Sequence, residues 1–346
     1  MRKTLLISFI FSLGVAISNK SNAQDPQFSQ YYAAPIYLNP ALTGINHIGR
    51  AGVNYRNQWP SIKAFFETYS FWVDYNFEDY NSSVGLMVNT DREGIAGLRS
   101  TSVALSYAYE ARLNYNWTFR PALQVGYMWR DLNFDKLTFG DQFDNTGQVR
   151  DFTNEVFDTG LQVRFLDFSA GGIIFNEQAW LGISFHHINE PNQSIAGGDN
   201  PLRKRISLHG GYRIPLEKIS PFLASRNNSR ERSVTPTFNY KAQGDFDQLD
   251  LGMYFTFEPV LLGVWYRGVP VKSLEGIPNN ESIIVMVGLN KGSTTIGYSF
   301  DYTISDLGIA SGGAHELSLI YTFDLSDPSK PPREVRELRC PVPFIF

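Results

Sequence analysis

Alternation with a period of two dominates this chain. In the stretch "STSVALSYAYE", Thr101, Val103, Leu105, Tyr107 and Tyr109 fall on one face, and Ser102, Ala104, Ser106, Ala108 and Glu110 on the other. This is the pattern of a strand with one apolar side. It recurs at Leu123, Val125, Tyr127 and Trp129 against Gln124, Gly126, Met128 and Arg130. Ile206, Leu208, Tyr212 and Ile214 oppose Arg205, Ser207, His209, Gly211 and Arg213. The odd positions of 249–257 and 283–289 and the even positions of 296–302 repeat it. No stretch carries a convincing helical period. The sequence predicts an all-β, antiparallel chain.

What the apolar faces meet decides the architecture. In a soluble sandwich they pack on a second sheet; in a membrane barrel they meet lipid, and the small and polar faces line the interior. Here the apolar faces often end in Tyr, Trp or Phe, as interfacial girdles require. The opposite faces are rich in Gly, Ser and isolated charges. The strands run to about 9–11 residues, the length a tilted strand needs to cross a bilayer, against roughly 5–6 in ordinary sheets. The expectation is an antiparallel transmembrane β-barrel.

The N-terminus agrees. Arg2 and Lys3 precede an apolar run over 4–17, then "SNA" and Gln24, the plan of a secretory signal peptide over residues 1–23. The run is too short for a membrane helix of about 20 residues, and no Cys follows the cut to carry a lipid. The barrel is expected over 24–323 and a tail over 324–346. A chain of 346 residues with 14% aromatic and only 18% charged residues fits this plan. Its formal net charge of −4 offers nothing to nucleic acid. A single cysteine excludes an internal disulfide framework.

The last predicted strand, "HELSLIYTF", places Leu317, Leu319, Tyr321 and Phe323 on one face. It resembles the terminal-strand signal by which outer-membrane barrels are recognised for insertion. Pro328, Pro331 and Pro332 then keep the chain from helix or ladder. "REVRELR" could form about two helical turns, and "CPVPFIF" ends apolar. That end needs cover, from its own barrel or from a periplasmic partner. Cys340 reads as a small buried apolar residue.

Candidate chemistry is thin. In "SFHHINEPNQ", neighbouring strand residues point to opposite faces, which sends His186 inward near the rim and His187 to the interfacial belt. The pair cannot easily hold one metal, and Asn189, Glu190, Pro191 and Asn192 read as a turn. His47, His209 and His315 lie far apart. "DFDQLD" lacks the glycine and closing Glu of a calcium loop and reads as a solvated loop. Ser207 and His209 share a strand face without an orienting acid. No catalytic, cofactor-binding or metal residue is expected. The inward positions instead offer a candidate lumen charge network of Glu110, Arg130, Arg205, Arg213, Glu258, Arg267, Asp301 and Glu316. Opposite signs there either pair and fill the barrel or line a water-filled pore.

The mature N-terminus "QDPQFSQYYAAPIYLNPALTGI", with "GISFHHINEPNQ", "IGYSFDYTISDLG", "SGGAHELSLIYTF" and "RCPVPF", resembles the PorP/SprF family. These are outer-membrane proteins tied to the type IX secretion and gliding machinery of Gram-negative Bacteroidetes. The resemblance runs from Gln24 to Phe346. It implies a barrel of about fourteen strands with a periplasmic C-terminal tail and no catalysis. One branch of the family associates with the periplasmic ring of the secretion apparatus; another pairs with a large secreted surface adhesin. The implied partners are therefore outer-membrane lipid, an adhesin or other type IX cargo, and periplasmic ring components. The tail residues offered to such a partner are Arg339, Cys340, Pro341, Phe344 and Phe346. Family tails often end Cys-Pro-Arg-Phe, and "CPVPFIF" lacks that Arg. The alternative function is a passive or hydrophobic-molecule transport channel. Extracellular loops are expected around 91–98, 135–154 and 192–204, where the chain is polar and rich in Gly and Asn.

Overall fold

The computed structural model describes residues 24–46, 49–132, 137–143, 162–195, 198–216, 231–274, 277–306, 308–324 and 340–343. The expected signal peptide lies outside these, as do the helical turn expected in "REVRELR" and most of 135–154. Fourteen long strands follow in order: β1 (Gly49–Gln58), β2 (Phe65–Phe77), β3 (Ser82–Gly94), β4 (Leu98–Tyr109), β5 (Thr118–Asp131), β6 (Gln162–Phe175) and β7 (Ala179–His186). The second half is β8 (Arg205–Tyr212), β9 (Arg232–Gln243), β10 (Phe246–Phe257), β11 (Val260–Leu274), β12 (Ile277–Lys291), β13 (Thr294–Thr303) and β14 (Ala314–Phe323). Two-residue segments at Ala111–Arg112 and Ile214–Pro215 extend β5 and β9 as partners.

Each strand pairs antiparallel with its sequence neighbours, and β14 returns to β1 with Phe323 opposite Gly49 and Ala314 opposite Gln58. Among the described residues no long strand is left as an edge, so the ladders close on themselves, as a chain crossing lipid requires. The outer face carries the apolar parity read from the sequence: Leu105 and Leu123 are each 65% exposed, while Ala104, Ser106, Ala122 and Gln124 on the alternate positions are buried. Aromatic rings ring both ends of that face, with Phe77, Tyr109, Tyr212 and Tyr321 at one and Tyr69, Tyr127 and Tyr302 at the other.

Gly49 and Phe323 meet at the first of these ends, beside the short turns at 78–81, 258–259 and 292–293. Three long connections, 132–161, 187–204 and 304–313, start and end at the second, against one, 213–231, at the first. Short turns mark the periplasmic end of such barrels and longer loops the outer one. The hairpin tip at 95–97, the described part of 135–154 and residues 192–204 all lie together at this second end. "DFDQLD" does not form the solvated loop read from its acid content. Its residues from Phe246 on are already in β10, and Asp250 is fully buried on the inner face.

The apolar core sits inside the barrel. It forms around residues 24–46, which thread the lumen instead of adding a strand. Phe28, Tyr31, Tyr32, Ile36, Leu42 and Ile45 are each under 5% exposed. Pro35 and Pro40 start one helical turn each, α1 (Pro35–Leu38) and a 3-10 turn (Pro40–Leu42), and Asn39 caps the second by accepting from Ala41 N at 2.9 Å. Prolines spaced this way cannot feed a ladder. Segment 340–343 is buried in the same interior, where Cys340 and Val342 join its core.

Candidate functional site

The lumen is the site, and three polar clusters hold the N-terminal segment in it. The first binds Ser29 and Gln30. The Glu316 carboxylate accepts from Ser29 N at 2.7 Å and Gln30 N at 3.1 Å, and Ser29 Oγ donates to Asp301 at 2.6 Å. Arg56 bridges Asp301 at 2.8 Å and Glu316 at 3.3 Å. Arg267 bridges Asp301 at 2.9 Å and Asp250 at 2.8 Å. Both guanidinium groups also donate to Ser29 Oγ, at 2.8 and 3.1 Å. Breaking one partner of such a buried set costs about 3–5 kcal/mol, because the remaining charge is left unpaired.

The second cluster holds the helical turns. Arg50 pairs with Asp74 and donates to Leu42 O at 3.1 Å, while Gly44 N donates to Asp74 at 2.9 Å. Arg120 pairs with Glu110 at 2.7 Å and donates to Thr43 O at 2.5 Å. Asn39 Nδ2 donates to Gly172 O at 3.2 Å and Ile183 O at 3.1 Å, and lies 3.1 Å from His209 Nε2. Rings complete the seat: Tyr32 packs on Trp180 and Tyr254, and Trp180 Nε1 donates to its hydroxyl at 2.7 Å.

The third cluster closes the outer end. His187 lies 2.7 Å from Asp25 and 2.9 Å from Asp167, and Arg205 pairs with Asp25 at 2.9 Å. Burial alone would lower the His187 pKa, but the Asp25 and Asp167 carboxylates outweigh it and push it up to about 9. Burial likewise works to raise the Asp25 pKa, yet His187 and Arg205 hold it well below the usual carboxylate range. His187 therefore does not sit in the interfacial belt. Its φ of +56° takes it off the strand geometry after His186 and turns the ring inward. Among the described residues no group of His, Cys, Asp and Glu converges as metal ligands would.

Of the eight charges expected in the lumen, Arg267, Asp301 and Glu316 come together in the first cluster. Glu110, Arg130 and Arg205 are buried but take other partners: Arg120, Glu93 with Gln193, and Asp25 respectively. Arg213 and Glu258 stand at the periplasmic rim, only partly buried and both bonded to Glu231. Arg50, Arg56, Arg120, Asp74 and Asp250 were missed, although all five sit on the inward parity of their strands. A full reading of that parity, including β1 and β2, would have found them. Nothing periodic marks Ser29, Gln30 or Asn39 as their partners.

Cys340 and Pro341, expected as contacts for a periplasmic partner, are buried instead within the chain's own periplasmic mouth. Cys340 lies near Arg120, Glu110 and Tyr32 there, and burial pushes its thiol up to about 12. Among the described residues of the tail, Cys340 and Val342 find their cover in the core formed by the N-terminal segment. Arg339, Phe344 and Phe346 lie outside the described residues.

The family model described as "Type IX secretion system membrane protein PorP/SprF" matches residues 20–321. No curated protein matches the sequence. Among solved structures, the chain is similar to the Acinetobacter baumannii outer membrane protein Omp33, with 7% identity over 81% of this chain and 100% of that one, at a TM-score of 0.42. It is also similar to the Ralstonia pickettii toluene transporter TbuX, with 9% identity over 84% and 92% of the two chains, at a TM-score of 0.45.

Proposed function

We propose, since this chain belongs to the PorP/SprF family of type IX secretion system membrane proteins, that it is a non-enzymatic scaffold in the outer membrane. In this reading the barrel holds a secreted surface adhesin or other type IX cargo at its outer end and meets periplasmic ring components at the other. The observation that carries it is the occupied lumen. Residues 24–46 touch the inner face of every strand, from Arg50 and Arg56 on β1 round to Glu316 on β14. A transport channel needs a path past that segment, and its buried hydrogen bonds to the barrel's charges, with the Asp25 ion pairs, make displacement costly. A rigid, filled barrel suits a protein whose work is done by the surfaces at its ends. The tail keeps Arg339, Phe344 and Phe346 as its offered contacts; Cys340 and Pro341 belong to the barrel.

The test is a tagged pull-down from mildly solubilised outer membranes, comparing the full chain with one ending at Asp324. Each barrel's fold is checked by heat-dependent migration on a gel. A secreted protein and ring components should come down with the full chain, and the ring components should be lost on truncation. A folded barrel that comes down alone in both cases would sink the reading.

A further inference from the structure

The lipid-facing side of the sheet is apolar over most of its height, but at the outer end one arc of it is cationic. Arg92 on β3 and Arg99 on β4 stand directly opposite one another, on the same outward parity as Val88 and Val103 below them. Arg164 on β6 shares that parity, opposite Trp129 of β5. Two carboxylates lie in the same arc: Glu67 on β2, opposite Arg92, and Asp131 on β5, opposite Arg99. Asp131 accepts from Arg99 Nε at 3.2 Å and Nη2 at 2.9 Å, and Arg164 donates to Gln162 at 2.8 Å. Three guanidinium groups, with Lys63 exposed on the loop just ahead of β2, thus outnumber two carboxylates.

Like charges set directly opposite on neighbouring strands are destabilising, and nothing in the chain relieves this pair. Arg92 lies 3.8 Å over the ring of Phe65 and forms no ion pair with Glu67 or any other described residue. The bond to Asp131 leaves Arg99 Nη1 unused. On the next outward row, Thr90 and Thr101 face each other with their hydroxyls 3.3 Å apart. Two hydroxyls carry two protons; their shared bond uses one, and the other is left to donate. Below them Val88 faces Val103 and Leu86 faces Leu105, which is 65% exposed. From Arg92 down to Leu86, at about 3.4 Å per residue and a tilt of about 40°, the column covers about 15 Å of depth, one leaflet of a core about 30 Å thick.

We infer that this column seats one lipid of the outer leaflet whose head is a phosphate monoester, as in a phosphorylated glycolipid. The phosphate bridges Arg92 and Arg99, and an acyl chain lies along Val88, Val103 and Leu105. An anion shared by the two guanidinium groups turns their repulsion into a common contact, and the planar guanidinium fork suits phosphate oxygens. A monoester offers three such oxygens, enough for both arginines and the spare threonine hydroxyl. A phosphodiester or a fatty-acid carboxylate offers two. The inference rests on the barrel's place in the outer membrane and does not need the scaffold reading.

The experiment is native mass spectrometry of the detergent-solubilised full chain with four probes: monophosphoryl lipid A, the same lipid without its phosphate, phosphatidylglycerol and inorganic phosphate. Monophosphoryl lipid A should form a one-to-one adduct at least about tenfold tighter than its dephosphorylated form, the size of a charge-assisted hydrogen bond. Arg92→Gln with Arg99→Gln, checked for fold by heat-dependent migration, should remove that preference. Lys291→Gln, at the periplasmic end of β12, should leave it intact. Equal binding of the two lipid A forms, or a preference that survives in the folded double variant, would overturn the inference. Phosphatidylglycerol bound as tightly as lipid A would overturn the monoester assignment, and inorganic phosphate displacing lipid A at equal concentration would overturn the lipid. Should the double variant not fold, Arg92→Gln alone carries the same expectation.

Discussion

His187 shows what one backbone angle does to a side chain's role. Its positive φ turns an imidazole into the lumen, where it clasps the start of the N-terminal segment through Asp25. The sign of the pH dependence follows from the two shifts. His187 is raised from 6.5 to about 9, so its contribution is complete below pH 6.5 and lost as pH rises through about 9. Asp25 is lowered from 3.8, so its contribution is complete above that value and lost in stronger acid. The clasp is therefore strongest between about pH 4 and 6.5. An environment-sensitive dye on Gln24→Cys, in a Cys340→Ser background, should hold a constant signal across that window and change with a midpoint near pH 9, as the raised His187 value requires. His187→Gln should abolish the transition; its persistence would assign it to another group. At this scale the sequence was only partly legible. Strand parity placed His186, Arg267 and Asp301 on the inner face, but it applies only while the chain is extended. It failed one residue later, where the strand ended.

The strands as elements were legible almost throughout, because each has lipid on one side and a crowded interior on the other. Period two is then forced along its whole length. The N-terminal element was not. "QFSQYYAAPIYLNPALTG" carries no period, since it is surrounded by barrel on all sides and every residue faces a wall. Its motif character follows from that: each position has its own partner, as Asn39 has Gly172, Ile183 and His209. The wall has adapted in turn. A Cβ at Gly171 would fall 2.0 Å from Asn39 Oδ1, so the 3-10 turn can approach β6 only because that residue is glycine. Gly171→Val should lower stability by about 1–3 kcal/mol, read as a fall in the temperature at which the folded gel band is lost. Combined with Asn39→Ala the loss should be less than additive, because both changes damage one contact. Full additivity would mean that the turn does not sit against Gly171.

For the whole molecule, the closed sheet and the filled lumen carry different parts of the work. The sheet satisfies its backbone in lipid and needs no interior to do so. Hydrogen bonds from the paired interior charges join the N-terminal segment to strands as distant in sequence as β1 and β14, with Ser29 contacting Arg56, Arg267, Asp301 and Glu316 together. Such a set releases poorly in steps, since each partner removed leaves the others charged and buried. The fold class and fourteen-strand plan were open to a reader of the sequence, the first by period and the second by family resemblance. Whether the inward charges filled the barrel or lined a pore was not, because parity is the same in both. The charges proved to be the walls of a seat for the chain's own N-terminus.

That seat can be tested directly by planar-bilayer conductance of the purified, reconstituted full chain at neutral pH and moderate voltage. A lumen occupied on all fourteen strands predicts a silent bilayer, with no steady ohmic steps. Arg56→Gln with Arg267→Gln, which strips the cations from Ser29, Asp301 and Glu316, should convert silence into open events. Steady, water-filled-pore steps from the unaltered protein would contradict the account and favour the alternative, a transport channel.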